Sequence, residues 1–142
     1  MALIMSSVIS RHLKHAEAYV RWEGQAIPVK FDCNGEEIVG WYRNPHPFDG
    51  EYVIFTTAAV YAWYVNGWVR VPFDEIVHYE VPDSKEESSG VRIRTRDGIR
   101  FIRFAGRSGP DGRFSDAFSL VGLLRVVVLV NKRAETNIKP PG

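Results

Sequence analysis

Hydrophobic and polar positions follow a helical period at the start of the chain. Apolar residues recur there at spacings of three to five: Ile4, Val8, Ile9, Leu13, Ala16 and Val20. Charged residues lie mostly off this stripe, so the pattern predicts an amphipathic helix over residues 3–22. The residues that follow contain Pro28 and an Asn34-Gly35 pair, which predict an irregular link.

From residue 36 onward the period changes to that of β-strands. Short apolar and β-branched runs are separated by turn residues, and the dipeptides Asn66-Gly67 and Asp97-Gly98 favour two-residue hairpin loops. Seven antiparallel strands are predicted, over residues 36–42, 51–56, 60–65, 68–71, 74–81, 91–96 and 99–105.

A second helix is predicted after the strands, over residues 114–133. Ser115 or Asp116 is a candidate N-cap, because a side-chain oxygen there can accept a hydrogen bond from the first turn. Lys132 and Arg133 lie at the other end, where cations stabilise the helix dipole.

Length and composition bound the class of protein. The 142 residues are 45% hydrophobic, which is enough for one domain with its own core. We expect a helix and link at residues 1–35, a β-rich domain at 36–133 and a disordered tail at 134–142. The formal net charge of +1 gives no general attraction to nucleic acid, so any electrostatic role must be local. A lone Cys33 and the lack of a membrane-spanning apolar stretch predict a cytoplasmic protein.

The order of these elements resembles that of the pleckstrin-homology-like (PH-like) barrel, in which two nearly orthogonal sheets of seven strands are closed by a C-terminal helix. Two phrases are similar to bacterial PH-like and GRAM-like domains: VRVPFDEIVHYEV, a strand, an apolar-proline-aromatic-acidic step and a strand, and VRIRTRDGIRFIRF, a late hairpin. The resemblance covers residues 36–131. It implies a mainly β, α+β fold, a PH-like barrel with an added N-terminal helix.

Domains of that fold include phosphoinositide binders, peptide binders and scaffolding modules, so the resemblance implies a non-catalytic binding module. We expect its partner to be another protein or a second copy of the chain. Two alternatives stay open: peripheral binding of anionic phospholipid headgroups, and an immunity or antitoxin-like inhibitor of one cognate protein. PH-like lipid binders gather basic residues between their first two strands, whereas that loop here holds one arginine, Arg43, and one acid, Asp49.

Aromatic residues gather around the Asn66-Gly67 turn. A two-residue turn pairs Trp63 with Arg70, and alternation along the strands then puts the large side chains on one side. We define this aromatic face, a predicted partner-binding surface, by Tyr61, Trp63, Trp68 and Arg70. So large an apolar patch requires a cover, and three are open: the N-terminal helix, a partner chain, or a small molecule in a pocket.

Arginines gather on the last predicted hairpin. Arg92, Arg94 and Arg96 alternate along one strand and so share a face. The functional interpretation is an anion site for a phosphorylated headgroup or an acidic protein surface, formed by Arg92, Arg94, Arg96 and Arg103. The simpler interpretation is a solvated strand face whose arginines protect a sheet edge or pair with nearby glutamates.

The register of this hairpin has two possible forms. A two-residue turn at Asp97-Gly98 puts Ile99, Phe101 and Arg103 on the side of the arginines. A one-residue bulge at Gly98 would put a different set there: Arg100, Ile102 and Phe104.

Residues capable of catalysis or metal binding lack a recognisable arrangement. His12 and His15 could chelate a metal ion on a helix, but no third ligand is specified. Cys33 has acidic neighbours, which disfavour a reactive thiolate. The sequence contains neither a phosphate-binding glycine loop nor a nucleophile elbow. We therefore expect no catalytic residue, no metal and no cofactor.

Overall fold

The structure is a computed structural model that describes residues 4–16, 18–27, 29–45, 48, 50–64, 67–80, 90–105 and 116–138. Its elements in chain order are α1 (Met5–Leu13), β1 (Tyr19–Arg21), β2 (Ile38–Arg43), β3 (Tyr52–Thr56), β4 (Ala59–Tyr64), β5 (Gly67–Pro72), β6 (Ile76–Glu80), β7 (Gly90–Thr95), β8 (Gly98–Arg103) and α2 (Asp116–Ile138). A single turn of 3-10 helix, Phe73–Glu75, precedes β6. Each of the seven predicted strands overlaps one of β2 to β8.

The strands form two antiparallel sheets. The larger sheet has the order β1-β2-β3-β4-β5, and the smaller has the order β6-β7-β8. The expected mainly β, α+β class is therefore confirmed. Within the described ranges no hydrogen-bonded ladder joins the two sheets, so they do not close into a barrel.

One hydrophobic core joins both sheets and both helices. Its fully buried members come from every one of these elements: Phe55 and Val60, Ile93 and Ile102, Ile9 and Leu13, Leu120 and Leu124. Burying one such side chain contributes about 1.5–3 kcal/mol. The N-terminal helix therefore packs into the same core as the strands.

α1 reaches this core by packing against α2. A Cβ added at Gly122 would lie 3.0 Å from the Nδ1 atom of His12, so the missing side chain lets the helices approach. Burial, and then the neighbouring charge of Arg11, lower the pKa of His12. Both effects disfavour the imidazolium, so His12 packs between the helices as a neutral ring.

The N-terminal helix is shorter than predicted. α1 ends at Leu13, and the chain then turns into β1, which pairs with β2. Tyrosine and valine favour strands, and β2 offers Gly40 as a place for the Tyr19 ring, where any Cβ would collide with the Tyr19 hydroxyl. The prediction of one helix over residues 3–22 is therefore wrong after Leu13, and Val20 is exposed.

The C-terminal helix is longer than predicted. α2 continues to Ile138, so the predicted tail at 134–142 begins inside a helix. At its start, the carboxylate of Asp116 is buried and accepts a hydrogen bond of 2.7 Å from the Tyr42 hydroxyl. The other candidate N-cap, Ser115, lies outside the described residues.

Asn44 joins the two sheets at one corner. Its buried Nδ2 donates to the carbonyls of Glu51 and Arg103, each at 3.0 Å, and its Oδ1 accepts the Ala105 N–H at 2.9 Å. A buried backbone group left unpaired costs about 1–3 kcal/mol. One side chain therefore satisfies backbone groups just before β3, at the end of β8 and just after β8.

Candidate functional site

The β4–β5 hairpin presents the aromatic face in a register that differs from the predicted one. Trp63 lies opposite Trp68, and Tyr61 lies opposite Arg70, so the predicted Trp63–Arg70 pair is wrong. The reason is that Gly67, with φ of 138°, belongs to β5 and is not part of the turn. A shift of two residues keeps side chains on the same side, so the four predicted residues do share one face.

The irregular link, and not α1, covers the aromatic face. The Phe31 ring meets Tyr61 and Trp68 edge-on, with ring centroids 4.7 and 5.0 Å apart. Trp68 Nε1 also donates to the Lys30 carbonyl at 3.2 Å. These three aromatic residues belong to a second hydrophobic cluster, separate from the main core. Three more side chains of the link pack against it: Trp22, Ile27 and Val29. Of the three covers that the sequence left open, the N-terminal helix is therefore not the one, because α1 packs into the main core.

A partly buried carboxylate, that of Glu36, binds the other end of the aromatic face. Glu36 accepts hydrogen bonds from the Thr56 hydroxyl at 2.7 Å, the Tyr61 hydroxyl at 2.8 Å and the Arg70 guanidinium at 3.1 Å. Burial alone would raise a carboxyl pKa, but these donors outweigh it and the pKa of Glu36 is lowered. Arg70 is thus engaged within the chain, and Tyr61 is 3% exposed.

The three-stranded sheet has an exposed side that carries two neighbouring arginines. We define this outer sheet face by two rows of residues that lie opposite one another across β6, β7 and β8: His78, Arg94 and Ile99, then Glu80, Arg92 and Phe101. Arg92 and Arg94 are exposed, and neither has an ion pair or side-chain hydrogen bond with any residue that the structure describes. Ile99 is 55% exposed beside Arg94.

The β7–β8 turn lies one position earlier than predicted. Thr95 pairs with Gly98, which is the first residue of β8 and has a φ of 145° that glycine tolerates, so the turn consists of Arg96 and Asp97. Ile99 and Phe101 face the arginine side, as in the predicted register with a two-residue turn. The bulged alternative is wrong, because its residues Ile102 and Phe104 are buried in the core.

Two of the four predicted anion-binding arginines are used elsewhere. Arg96 lies in the turn, where strand alternation ends, and its guanidinium is 3.8 Å from the Glu135 carboxylate. Arg103 Nε donates to the Glu51 carboxylate at 3.0 Å, and its guanidinium lies 4.1 Å from the centroid of the Phe48 ring. The predicted site is thus left with Arg92 and Arg94.

Phe101 supplies an apolar surface beside these arginines. Its ring occupies the space that a side chain at Gly90 would need, since a Cβ there would be 2.6 Å from the ring. The ring centroid also lies 5.2 Å from the Arg103 guanidinium. The outer sheet face therefore combines two available cations with apolar contacts from Ile99 and Phe101.

A polar cleft lies between α1, β1 and the start of β2, and the sequence patterns did not predict it. Its volume is about 780 Å³, and its walls carry hydroxyls, cations and one indole: Ser6, Ser10, Arg11, Lys14, Arg21 and Trp22. The polar stripe of α1 was visible in the sequence. The second wall was not, because β1 was assigned to the same helix.

The described residues do not form a metal centre. No group of three or more histidine, cysteine or acidic side chains in those ranges could hold a metal ion. Those ranges do contain exposed cations beside apolar surface, as on the outer sheet face.

Comparison with known proteins gives no match: no family model, curated protein or solved structure is similar to this chain. No helix in the described part of the chain has the length and apolar character needed to cross a membrane.

Proposed function

We propose that this chain is a non-catalytic protein-binding module of PH-like architecture whose outer sheet face binds an acidic segment of a partner protein. The observation that supports this most directly is the pair of exposed arginines, Arg92 and Arg94, without an ion-pair partner among the described residues. The PH-like architecture is supported by β2 to β8, seven of the eight described strands, which lie in two antiparallel sheets and are followed by α2.

The spacing of the two arginines indicates how the acidic residues of the partner segment would be spaced. Side chains two residues apart on a strand are separated by about 6.6 Å, so Arg92 and Arg94 match two carboxylates that alternate along an extended segment. Guanidinium groups bind carboxylates through two parallel hydrogen bonds. Ile99 and Phe101 flank the arginines and would contact apolar side chains of the same segment.

Arg94 is expected to contribute more than Arg92. Glu80 lies opposite Arg92 on β6 and would repel a carboxylate bound there, whereas His78 lies opposite Arg94. Arg94 also has the exposed Ile99 as its other cross-strand neighbour. The partner's acidic residue nearest Arg94 is therefore the anchor of the proposed complex.

An acidic protein segment fits this face better than a membrane surface. Membrane recognition through charge commonly uses clusters of about 4–8 basic residues. The outer sheet face offers two arginines and one opposing acid, Glu80. Arg43 is the last residue of β2, before the β2–β3 loop, and its guanidinium lies 6.0 Å from the Tyr52 ring centroid.

The test is fluorescence anisotropy with a labelled peptide of alternating glutamate and valine. We expect the Arg92→Gln, Arg94→Gln double variant to bind about ten-fold more weakly than the wild type, which corresponds to about 1.4 kcal/mol. The matched control is Arg125→Gln, Arg133→Gln, which removes the same charge from exposed positions of α2 and should leave affinity unchanged.

Two outcomes would overturn the proposal. One is the absence of peptide binding at low salt, and the other is equal weakening in both double variants, which would indicate a general charge effect. Binding to phosphatidylcholine vesicles only when they contain phosphatidylserine, without peptide binding, would replace the protein partner with a lipid surface.

A further inference from the structure

We infer that the polar cleft binds a small organic phosphate, with the phosphate held by Arg11, Lys14 and Arg21 and the organic group placed against Trp22. This site shares no residue with the outer sheet face, and it would bind another class of ligand. The inference can therefore be tested independently of the proposed function.

Positive charge in the cleft comes from both walls. Arg11 and Lys14 belong to the α1 side and Arg21 to β1, and Glu37 is the one acid among the lining residues that the structure describes. These three cations and one acid give the described lining a charge of +2. None of the three cations forms an ion pair with a described residue, so an incoming anion does not have to displace a carboxylate.

Hydroxyl groups lie in a row beside these cations. Ser6, Ser10 and Lys14 are spaced four residues apart, so they follow one side of the helix. Ile9 and Leu13 are fully buried in the main core, whereas Ser6, Ser10 and Lys14 line the cleft. Hydroxyl donors next to cations are the combination that satisfies several oxygens of a phosphate.

Tyr19 adds an unsatisfied hydroxyl to the lining. Its oxygen is shielded from solvent and has no hydrogen-bond partner among the residues that the structure describes. Burial raises the pKa of Tyr19 to about 12, against the opposing effect of the Arg21 charge, so the group stays a neutral donor. A phosphate oxygen, or a water that bridges to it, would supply the missing acceptor.

The size and the aromatic wall favour a ligand larger than inorganic phosphate. A cleft of about 780 Å³ lies in the range of about 300–1,000 Å³ that small-molecule sites occupy. Trp22 is held in place because its Nε1 donates to the Gln25 carbonyl at 2.9 Å. Ile38 and Val39 of β2 add apolar surface to the same lining. A flat or apolar group attached to the phosphate would contact these side chains.

Calorimetric titration of the full chain with ADP, pyrophosphate and adenosine tests the inference. We expect ADP to bind, pyrophosphate to bind more weakly and adenosine to bind most weakly, because only ADP uses both the cations and the indole. The Arg11→Gln, Arg21→Gln variant should bind ADP about ten-fold more weakly. The control is again Arg125→Gln, Arg133→Gln, which should match the wild type.

A second variant separates the two parts of the site. Trp22→Leu should weaken ADP about three-fold or more and leave pyrophosphate unchanged, since the indole contacts only the organic group. Both arginines are exposed, so the arginine variant keeps the test decisive even if Trp22→Leu fails to fold. Vesicles of phosphatidylcholine with phosphatidic acid distinguish a lipid headgroup from a free ligand. If the wild type binds these vesicles and the arginine variant does not, the cleft binds the phosphate of a lipid headgroup.

The inference is overturned if neither ADP, pyrophosphate nor these vesicles bind at low salt. It is also overturned if the α2 control weakens binding as much as the arginine variant does, because the effect would then come from overall charge. If a folded Trp22→Leu variant lost affinity for ADP and pyrophosphate equally, the proposed contact between the indole and the organic group would be wrong.

Discussion

Glu36 shows how a single residue couples charge to burial. Its side chain is 14% exposed, yet the carboxylate is ionised because Thr56, Tyr61 and Arg70 all donate to it. The same three donors come from β3, β4 and β5, so one carboxylate connects the irregular link to three strands. Its protonation state should therefore be visible in the stability of the protein.

Replacing Glu36 with glutamine tests this coupling. The pKa of Glu36 in the folded chain lies below its ordinary value of 4.5, so the ionised group stabilises the fold above that pH. We expect Glu36→Gln to lower the free energy of unfolding by about 1–2 kcal/mol at pH 7. The difference should shrink as the pH falls from 4.5 through the folded-state pKa, as followed by urea denaturation.

The neighbouring Glu37 provides the control. Its side chain is exposed, so Glu37→Gln should leave both the stability and its pH profile close to those of the wild type. Parallel pH profiles for Glu36→Gln and the wild type would show that the carboxylate is not ionised in the way described.

Strand alternation predicted that Arg92 and Arg94 share a face, but it did not predict the ion-pair partner of Arg103. Alternation correctly put Arg92 and Arg94 on one side of a strand, because the period of a strand is local. It gave no sign that Glu51, which is 52 residues away in the chain, pairs with Arg103. Long-range ion pairs depend on how strands meet, and no local pattern specifies that.

Among the elements, the irregular link between β1 and β2 has an unexpected structural role. Its described residues form no helix or strand, yet they cover the outer side of the five-stranded sheet with Phe31, Ile27 and Val29. An apolar face on that sheet is thereby kept from solvent without a helix.

Phe31→Ala should therefore behave as a core substitution. We expect a loss of about 1–3 kcal/mol in the free energy of unfolding, since the ring contacts both Tyr61 and Trp68. Tryptophan fluorescence should also shift to longer wavelength as water reaches Trp68. Phe118→Ala is the matched control, because Phe118 is 58% exposed on α2 and its loss should change stability by less than about 0.5 kcal/mol. Equal effects of the two substitutions would contradict this role of the link.

The elements that the sequence predicted well are those with a strong local period. The seven strands β2 to β8 fall in this group, as does the existence of both helices. β1 was missed because Val20 fits the helical stripe by spacing, while its strand pairing depends on Gly40 in a distant segment. Both hairpin turns were predicted one position too late, since a glycine with positive φ also fits the first position of a strand.

For the whole molecule, the covered aromatic face bears on self-association. Because the link already packs on Tyr61 and Trp68, we expect light scattering to give the mass of one chain, 16.2 kDa. The Trp63→Glu, Trp68→Glu variant should then lose its folded state, which circular dichroism would detect, because charge would enter a packed cluster. A dimeric wild type with a folded, monomeric variant would instead show that this face joins two copies.

The junction between the two sheets is the part of the fold that the sequence did not predict. Asn44 lies in a stretch with two prolines, Pro45 and Pro47, which indicates a turn and nothing more. Its side-chain amide nevertheless forms hydrogen bonds with backbone groups next to β3 and β8, which belong to different sheets. Such a role depends on the position of residues 103 to 105, which the local pattern around Asn44 does not contain.

The Asn44 corner has a consequence for folding. Its Nδ2 donates to the carbonyl of Arg103, which is 59 residues away in the chain, so a long loop must close before this hydrogen bond can form. Neither sheet can open at this corner without leaving buried polar groups of the other unpaired. The two sheets should therefore fold late and slowly at this junction, and once joined they should unfold together as one cooperative unit.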